Sequence, residues 1–87
     1  MKYKDLKIEI NRAIRKKTEV SENKLKHLIS YNPEYFEAYI IAASYYQSRK
    51  NYATAMSYFS LALTKELSSL EEREKIEKEI KKCKSKL

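Results

Sequence analysis

Glycine is absent from these 87 residues, and proline, cysteine and histidine each occur once. Each shortage narrows the choice. Without glycine there are few sites for positive φ, which tight β-hairpins need, so sheets built on such turns are disfavoured. Phosphate-cradling loops that depend on glycine are missing as well. A lone cysteine, Cys83, forms no internal disulfide, which agrees with a reducing compartment. The residues offer no metal-ligand spacing and no acid–base constellation. No apolar run approaches the ~20 residues needed to span a bilayer. The opening Met1-Lys2-Tyr3-Lys4-Asp5 leads into no apolar signal core. The expectation is a cytoplasmic, non-enzymatic protein with no membrane span and no cofactor.

What is present fits an all-α domain. The length suits one domain that buries only about 60% of its unfolded surface, hence one of marginal stability. Charged residues at 36% and apolar residues at 43% fit a globular chain rather than a disordered one. Net charge is +7, unevenly placed. Residues 1–30 hold nine Lys/Arg against four Asp/Glu, residues 31–70 three of each, and residues 71–87 seven against five. Basicity therefore lies at the two ends. A basic protein can meet acidic peptides, nucleic acid or anionic lipid, although a lysine-rich surface also serves solubility alone.

Apolar periodicity gives about five helices. Leu6, Ile10, Ala13 and Ile14 form one stripe of a first helix near Tyr3–Lys16, with Ile8 off it. A second helix starts near Thr18 or Ser21, either of which can cap it, and turns Leu25, Leu28 and Ile29 inward. Tyr31-Asn32-Pro33-Glu34 is a boundary. Pro33 disfavours the α conformation at Asn32, so Asn32 is expected as N-cap and Pro33 as the first residue of a third helix reaching about Arg49. A fourth helix follows from about Ala53 to Glu66, with Asn51 or Tyr52 at its start. The last helix opens on Ser68-Ser69-Leu70-Glu71-Glu72, where Ser69 with Glu72, or Ser68 with Glu71, fits a capping box. It carries Glu71–Lys75, Glu74–Lys78 and Glu77–Lys81 in the favourable i,i+4 order. Its apolar positions are sparse: Leu70, Ile76, Ile80, Cys83 and Leu87. One narrow stripe on a long helix reads as a lid with its other face in water.

Pro33 to Leu63 has the spacing of a complete helical hairpin. Tyr39, Ala42, Ala43 and Tyr46 mark one helix, and Ala55, Phe59, Ala62 and Leu63 mark the other. Small residues sit where two backbones come close, and aromatics flank them. This hairpin resembles the tetratricopeptide repeat, whose pattern over 34 residues is an aromatic, Leu-Gly, Tyr, then Ala, Phe and Pro. Tyr39 stands for the opening aromatic and Ala42-Ala43 for Leu-Gly, while Tyr46, Ala55 and Phe59 match directly. Leu67 replaces the closing proline. A step of 34 back turns Ala55, Phe59, Ala62 and Leu63 into Ser21, Leu25, Leu28 and Ile29. A step forward turns Ala42 and Tyr46 into Ile76 and Ile80, and Ala43 into Glu77.

The first helix breaks the step. Tyr39, Ala42, Ala43 and Tyr46 fall on Asp5, Ile8, Glu9 and Arg12, a poor core. Either a longer loop before Ser21 shifts the register, the favoured reading, or Leu6, Ile10 and Ile14 face the concave groove and make it apolar.

The resemblance implies a right-handed α-solenoid over 1–87. Residues 1–32 form a degenerate first repeat, 33–67 a well-matched repeat and 68–87 a capping helix. It also implies a protein–protein interaction module whose concave groove holds a peptide or helix of a partner. The corresponding partner-binding residues are Glu37, Ile40, Ser44 and Gln47 of the third helix, and Glu74, Lys78, Lys81 and Lys82 of the fifth. This mixed groove with a basic rim suits an acidic or amphipathic segment. Ile40 and Ser44 stand where some members hold a terminal carboxylate with Lys and Asn, so that clamp is not expected. Fewer than three repeats is short for such arrays, which raises self-association or docking to a larger assembly as a second reading. Nucleic-acid binding through Lys2, Lys4, Lys7, Arg12, Arg15, Lys16 and Lys17 ranks below both.

His27 beside Leu28 is read as partly buried or exposed. Cys83 is read as a small apolar residue, although neighbouring lysines favour a lowered pKa. Tyr35, Tyr39, Tyr46 and Tyr52 are expected in or near the core, with Tyr45 and Tyr58 pointing elsewhere.

Overall fold

The computed structural model describes residues 2–67 and 69–87. Among these lie five α-helices: α1 (Tyr3–Lys16), α2 (Glu22–Ser30), α3 (Glu37–Ser48), α4 (Tyr52–Leu63) and α5 (Leu70–Ser85). Three of them, α2, α4 and α5, begin where a side chain accepts from one of their first free N–H groups. Ser21, not Thr18, caps α2, its hydroxyl accepting from the Lys24 N–H at 3.3 Å. The Asn51 side chain accepts from the Thr54 N–H at 3.4 Å and starts α4. The Ser69 hydroxyl accepts from the Glu72 N–H at 3.2 Å and starts α5. The alternative pair Ser68–Glu71 involves a residue outside those described, as does Met1.

Two connections take left-handed backbone without glycine. Lys17 (φ 56°) follows α1 and Lys50 (φ 62°) follows α3. After Lys17 the Thr18 N–H donates to the Ala13 carbonyl at 3.0 Å, and after Lys50 the Asn51 N–H donates to the Tyr46 carbonyl at 2.9 Å. Such a residue costs roughly 1–2 kcal/mol when it carries a Cβ. The closing hydrogen bonds offset part of that.

The Pro33 boundary is placed differently from the sequence expectation. Asn32 does not cap α3 and Pro33 is not its first residue; α3 starts at Glu37 after Phe36. The intervening segment pairs with the end of α4. The Glu66 N–H donates to the Glu34 carbonyl at 2.9 Å, and the Phe36 N–H donates to the Glu66 carbonyl at 3.4 Å. The Tyr39 hydroxyl donates to the Pro33 carbonyl at 2.7 Å. This bridge ties residues 34–36 to the end of α4, where Phe36 is buried and α4 ends at Leu63 instead of Glu66. One long-range contact thus moves two helix ends.

Packing centres on α3, which is apolar on the two sides that other helices cover and polar at Ser44 and Gln47 elsewhere. On one side Ala38, Ile41, Ala42 and Tyr45 meet Leu6 and Ile10 of α1 and Leu25 and Leu28 of α2. On the other, Tyr39 and Ala43 join Ala55, Phe59 and Ala62 of α4 and Ile76 and Cys83 of α5. Ala42, Ala43, Ala55 and Ala62 are fully buried. The adjacent alanines thus serve opposite neighbours, and Ala43 shares a cluster with Ala55 as their small size requires. The backbone has a radius of gyration of 12.2 Å, close to the ~12 Å expected of a compact domain this long.

Leu6 and Ile10 have no exposed surface. That overturns the alternative in which they line an open groove. The connection before α2 spans residues 17–21, against 49–51 before α4, a longer loop as the shifted register requires. Ile8 stays exposed at 45%. Tyr45 corrects a second expectation. It is buried, and its hydroxyl accepts from the Val20 N–H at 2.8 Å, anchoring that longer loop. Tyr58 is half-buried and stacks on Tyr46, with ring centroids 5.7 Å apart.

The i,i+4 pairs Glu71–Lys75, Glu74–Lys78 and Glu77–Lys81 are not closed. Among the described residues the ion pair on α5 is Glu79–Lys82 at 3.3 Å. Exposed pairs gain at most about 1 kcal/mol, and ordering two long side chains opposes that gain.

Candidate partner-binding cleft

A cleft of about 440 Å³ opens between α3 and α5. Ile40, Ser44 and Gln47 enter it at 4- and 3-residue spacing from α3, so they share one face. Phe59 of α4 and Ile76 of α5, both almost fully buried, form its apolar floor. Glu72, Lys75, Lys78, Glu79 and Lys82 line its α5 side. Gln47 Nε2 donates to Glu79 Oε2 at 2.9 Å across the cleft, and Lys82 Nζ donates to Glu79 Oε1 at 3.3 Å. Glu79 is thereby neutralised and oriented, while Lys75 and Lys78 make no ion pair among the described residues. With three lysines against two glutamates, the result is an apolar floor beside a mixed edge of slight positive charge.

The structure brings together five of the eight residues expected here: Ile40, Ser44, Gln47, Lys78 and Lys82. Glu74 and Lys81 do not line the cleft. They lie seven residues apart on one face of α5, exposed and turned away from α3. With Ile76 and Cys83 fixed inward against α4, a helix turning about 100° per residue puts Lys75, Glu79 and Lys82 on the cleft side of that stripe and Glu74 and Lys81 behind it, with Lys78 at the margin. The burial stripe Ile76–Cys83 was the signal that could have set this register.

Glu37 lies elsewhere. It stands in the first turn of α3 beside the first turns of α1. Its Oε1 accepts from the Tyr3 hydroxyl at 2.7 Å and pairs with Lys7 Nζ at 3.0 Å. Partial burial alone raises its pKa, but the hydrogen bonds from Tyr3 and Lys7 outweigh this and hold the carboxyl below its ordinary value. Burial, followed by that same hydrogen bond, pushes the Tyr3 phenol up. Glu37 borders a second hollow of about 560 Å³ with Tyr3, Lys4, Lys7, Tyr31, Asn32, Tyr35 and Ala38. His27 is exposed and its ring stacks on Tyr31, centroids 5.2 Å apart.

Cys83 is fully buried among apolar side chains. Burial, and then the Glu79 carboxylate, pushes its thiol up, which agrees with the reading of Cys83 as a small apolar residue and not with a thiol lowered by lysines. Those lysines are exposed on other faces of α5. The thiol should therefore react with dithionitrobenzoate ~100-fold more slowly in native protein than in denaturant. Comparable rates would show that α5 does not stay packed on α4. Among the described residues no group of three or more His, Cys, Asp or Glu side chains is placed to hold a metal ion. No helix there is long and apolar enough to cross a membrane.

No family model, no curated protein and no solved structure matches this chain. The cleft is therefore judged on its own chemistry.

Proposed function

We propose that the chain is a non-enzymatic interaction module of the tetratricopeptide kind, and that the α3–α5 cleft holds an amphipathic, acidic segment of a partner protein. The cleft itself carries this reading: an apolar floor of Ile40, Phe59 and Ile76 beside Lys75 and Lys78, with the Lys82–Glu79 pair and Glu72 completing the rim. An apolar face of a helix or extended segment fits the floor, and carboxylates fit the edge. The repeat interpretation draws support from two cross-helix hydrogen bonds. Tyr3–Glu37 links α1 to α3 over 34 residues, and Gln47–Glu79 links α3 to α5 over 32. Successive odd-numbered helices thus touch at nearly the repeat length of the resemblance.

The test is fluorescence anisotropy with labelled 15-residue peptides from an acidic amphipathic library. At least one sequence class should bind more tightly than ~100 µM. Lys78→Glu with Lys82→Glu should weaken that binding about tenfold or more and flatten its salt dependence. Ile40→Asp should abolish it. Binding that ignores all three substitutions, or a library with no binder, would refute the assignment of this cleft.

A further inference from the structure

We infer that a second copy of this chain packs against the outward face of α4, helix to helix across a two-fold axis. That face is separate from the α3–α5 cleft, and its assignment does not rest on what the cleft binds. From Asn51 to Thr64 there is no Asp, Glu, Lys or Arg, although 36% of the chain is charged. Scarcity of charge has an evident cause in α3, which is covered on two sides and whose one charge, Glu37, pairs with Lys7. It has none in α4, whose Ala53, Ser57, Ser60, Leu61 and Thr64 all face out. At about 100° per residue these five positions fall on one side of the helix. A solvated helix face ordinarily carries charge, whereas the centre of a protein interface is depleted in it.

Two further observations fit a dry contact. The Ser57 hydroxyl donates to the Ala53 carbonyl at 3.2 Å, and the Thr64 hydroxyl donates to the Leu61 carbonyl at 2.7 Å. Both donors are satisfied within their own helix, so covering them strands no O–H. Leu61, 44% exposed, forms one wall of a shallow hollow that Met56, Ser57, Ser60 and Thr64 complete. An isologous contact pairs this one patch with itself, so the two Leu61 side chains would lie at or near the axis.

Charge selects the occupant. The chain carries +7, so two copies meeting through the lysine-bearing faces of α1 or α5 would set like charges together. The α4 face is where a second copy meets none. An acidic partner would be drawn to the lysines instead, since α4 offers no charge to attract it.

Sedimentation equilibrium from about 10 µM to about 1 mM tests this. The wild-type chain should pass from monomer towards dimer with concentration. Leu61→Lys should weaken association at least about tenfold, because it places two ammonium groups at the contact. Leu61 is half-exposed, so its replacement should leave the helical circular dichroism and the melting curve unchanged. Independently, Ser57→Cys or Ser60→Cys should give a disulfide-linked dimer on mild oxidation, with the buried Cys83 silent. A chain monomeric throughout overturns the inference. So does a dimer that Leu61→Lys leaves intact, or one that neither new cysteine traps.

Discussion

Phe59→Ala is expected to lower the unfolding free energy by about 3–5 kcal/mol, the usual cost of deleting a buried aromatic ring and leaving the cavity. Phe59 is 2% exposed and is the largest fully buried side chain among the described residues. It lies where α3, α4 and α5 converge, among Ala43, Ala55, Ala62, Ile76 and Cys83. Alanines cannot lean into the vacated space, so the site should collapse poorly. At ~0.05–0.15 kcal/mol per residue, a chain of this length has roughly 4–13 kcal/mol in all. The variant should therefore be largely unfolded at the low end of that range, and its urea midpoint should fall steeply at the high end. Phe59→Leu keeps most of the volume and should cost no more than about 1.5 kcal/mol. Equal midpoints for the two variants would mean that the ring does not hold α5 against the hairpin.

Leu6→Ala should cost about 2–5 kcal/mol, whereas Ile8→Ala should stay within about 0.5 kcal/mol of wild type. The two side chains are similar in size and two residues apart on α1. Leu6 is fully enclosed by α2 and α3, and Ile8 is half in water. The comparison separates burial from composition, since both variants lose the same kind of side chain from the same helix. Urea unfolding of the pair decides it. A small loss at Leu6 would return α1 to the open groove that the first-helix alternative describes.

The hairpin at the centre of the chain was legible because its determinants are local. Asn51 caps α4 within three residues, and Ala42, Ala43 and Ala55 lie at the helix spacing that packing demands. The stripe of α1 was equally plain, and the helix appears from Tyr3 to Lys16 as the periodicity requires. The start of α3 was not legible, because a bridge to Glu66, thirty residues away, competes with the local preference of Asn32-Pro33 for a cap. Tyr45 misled for a similar reason. Its place in the core depends on a loop N–H at Val20 that no helical period reveals. In the cleft, Ile40, Ser44 and Gln47 came through because 4- and 3-residue steps keep them on one face of α3. On α5, Lys78 and Lys82 came through, whereas Glu74 and Lys81 did not, because the repeat step departs there from the inward stripe of Ile76 and Cys83. Glu37 was displaced by a better offer of hydrogen bonds from Tyr3 and Lys7.

The shared helix α3 has a thermodynamic consequence. Melting either half of the core would strip one flank of α3 and leave its alanines and tyrosines in water. The two halves are therefore expected to unfold as one cooperative unit. Anything that grips the α5 side adds its binding free energy to that unit as a whole. The amides of α1, on the far flank, would then exchange their hydrogens more slowly although nothing touches them.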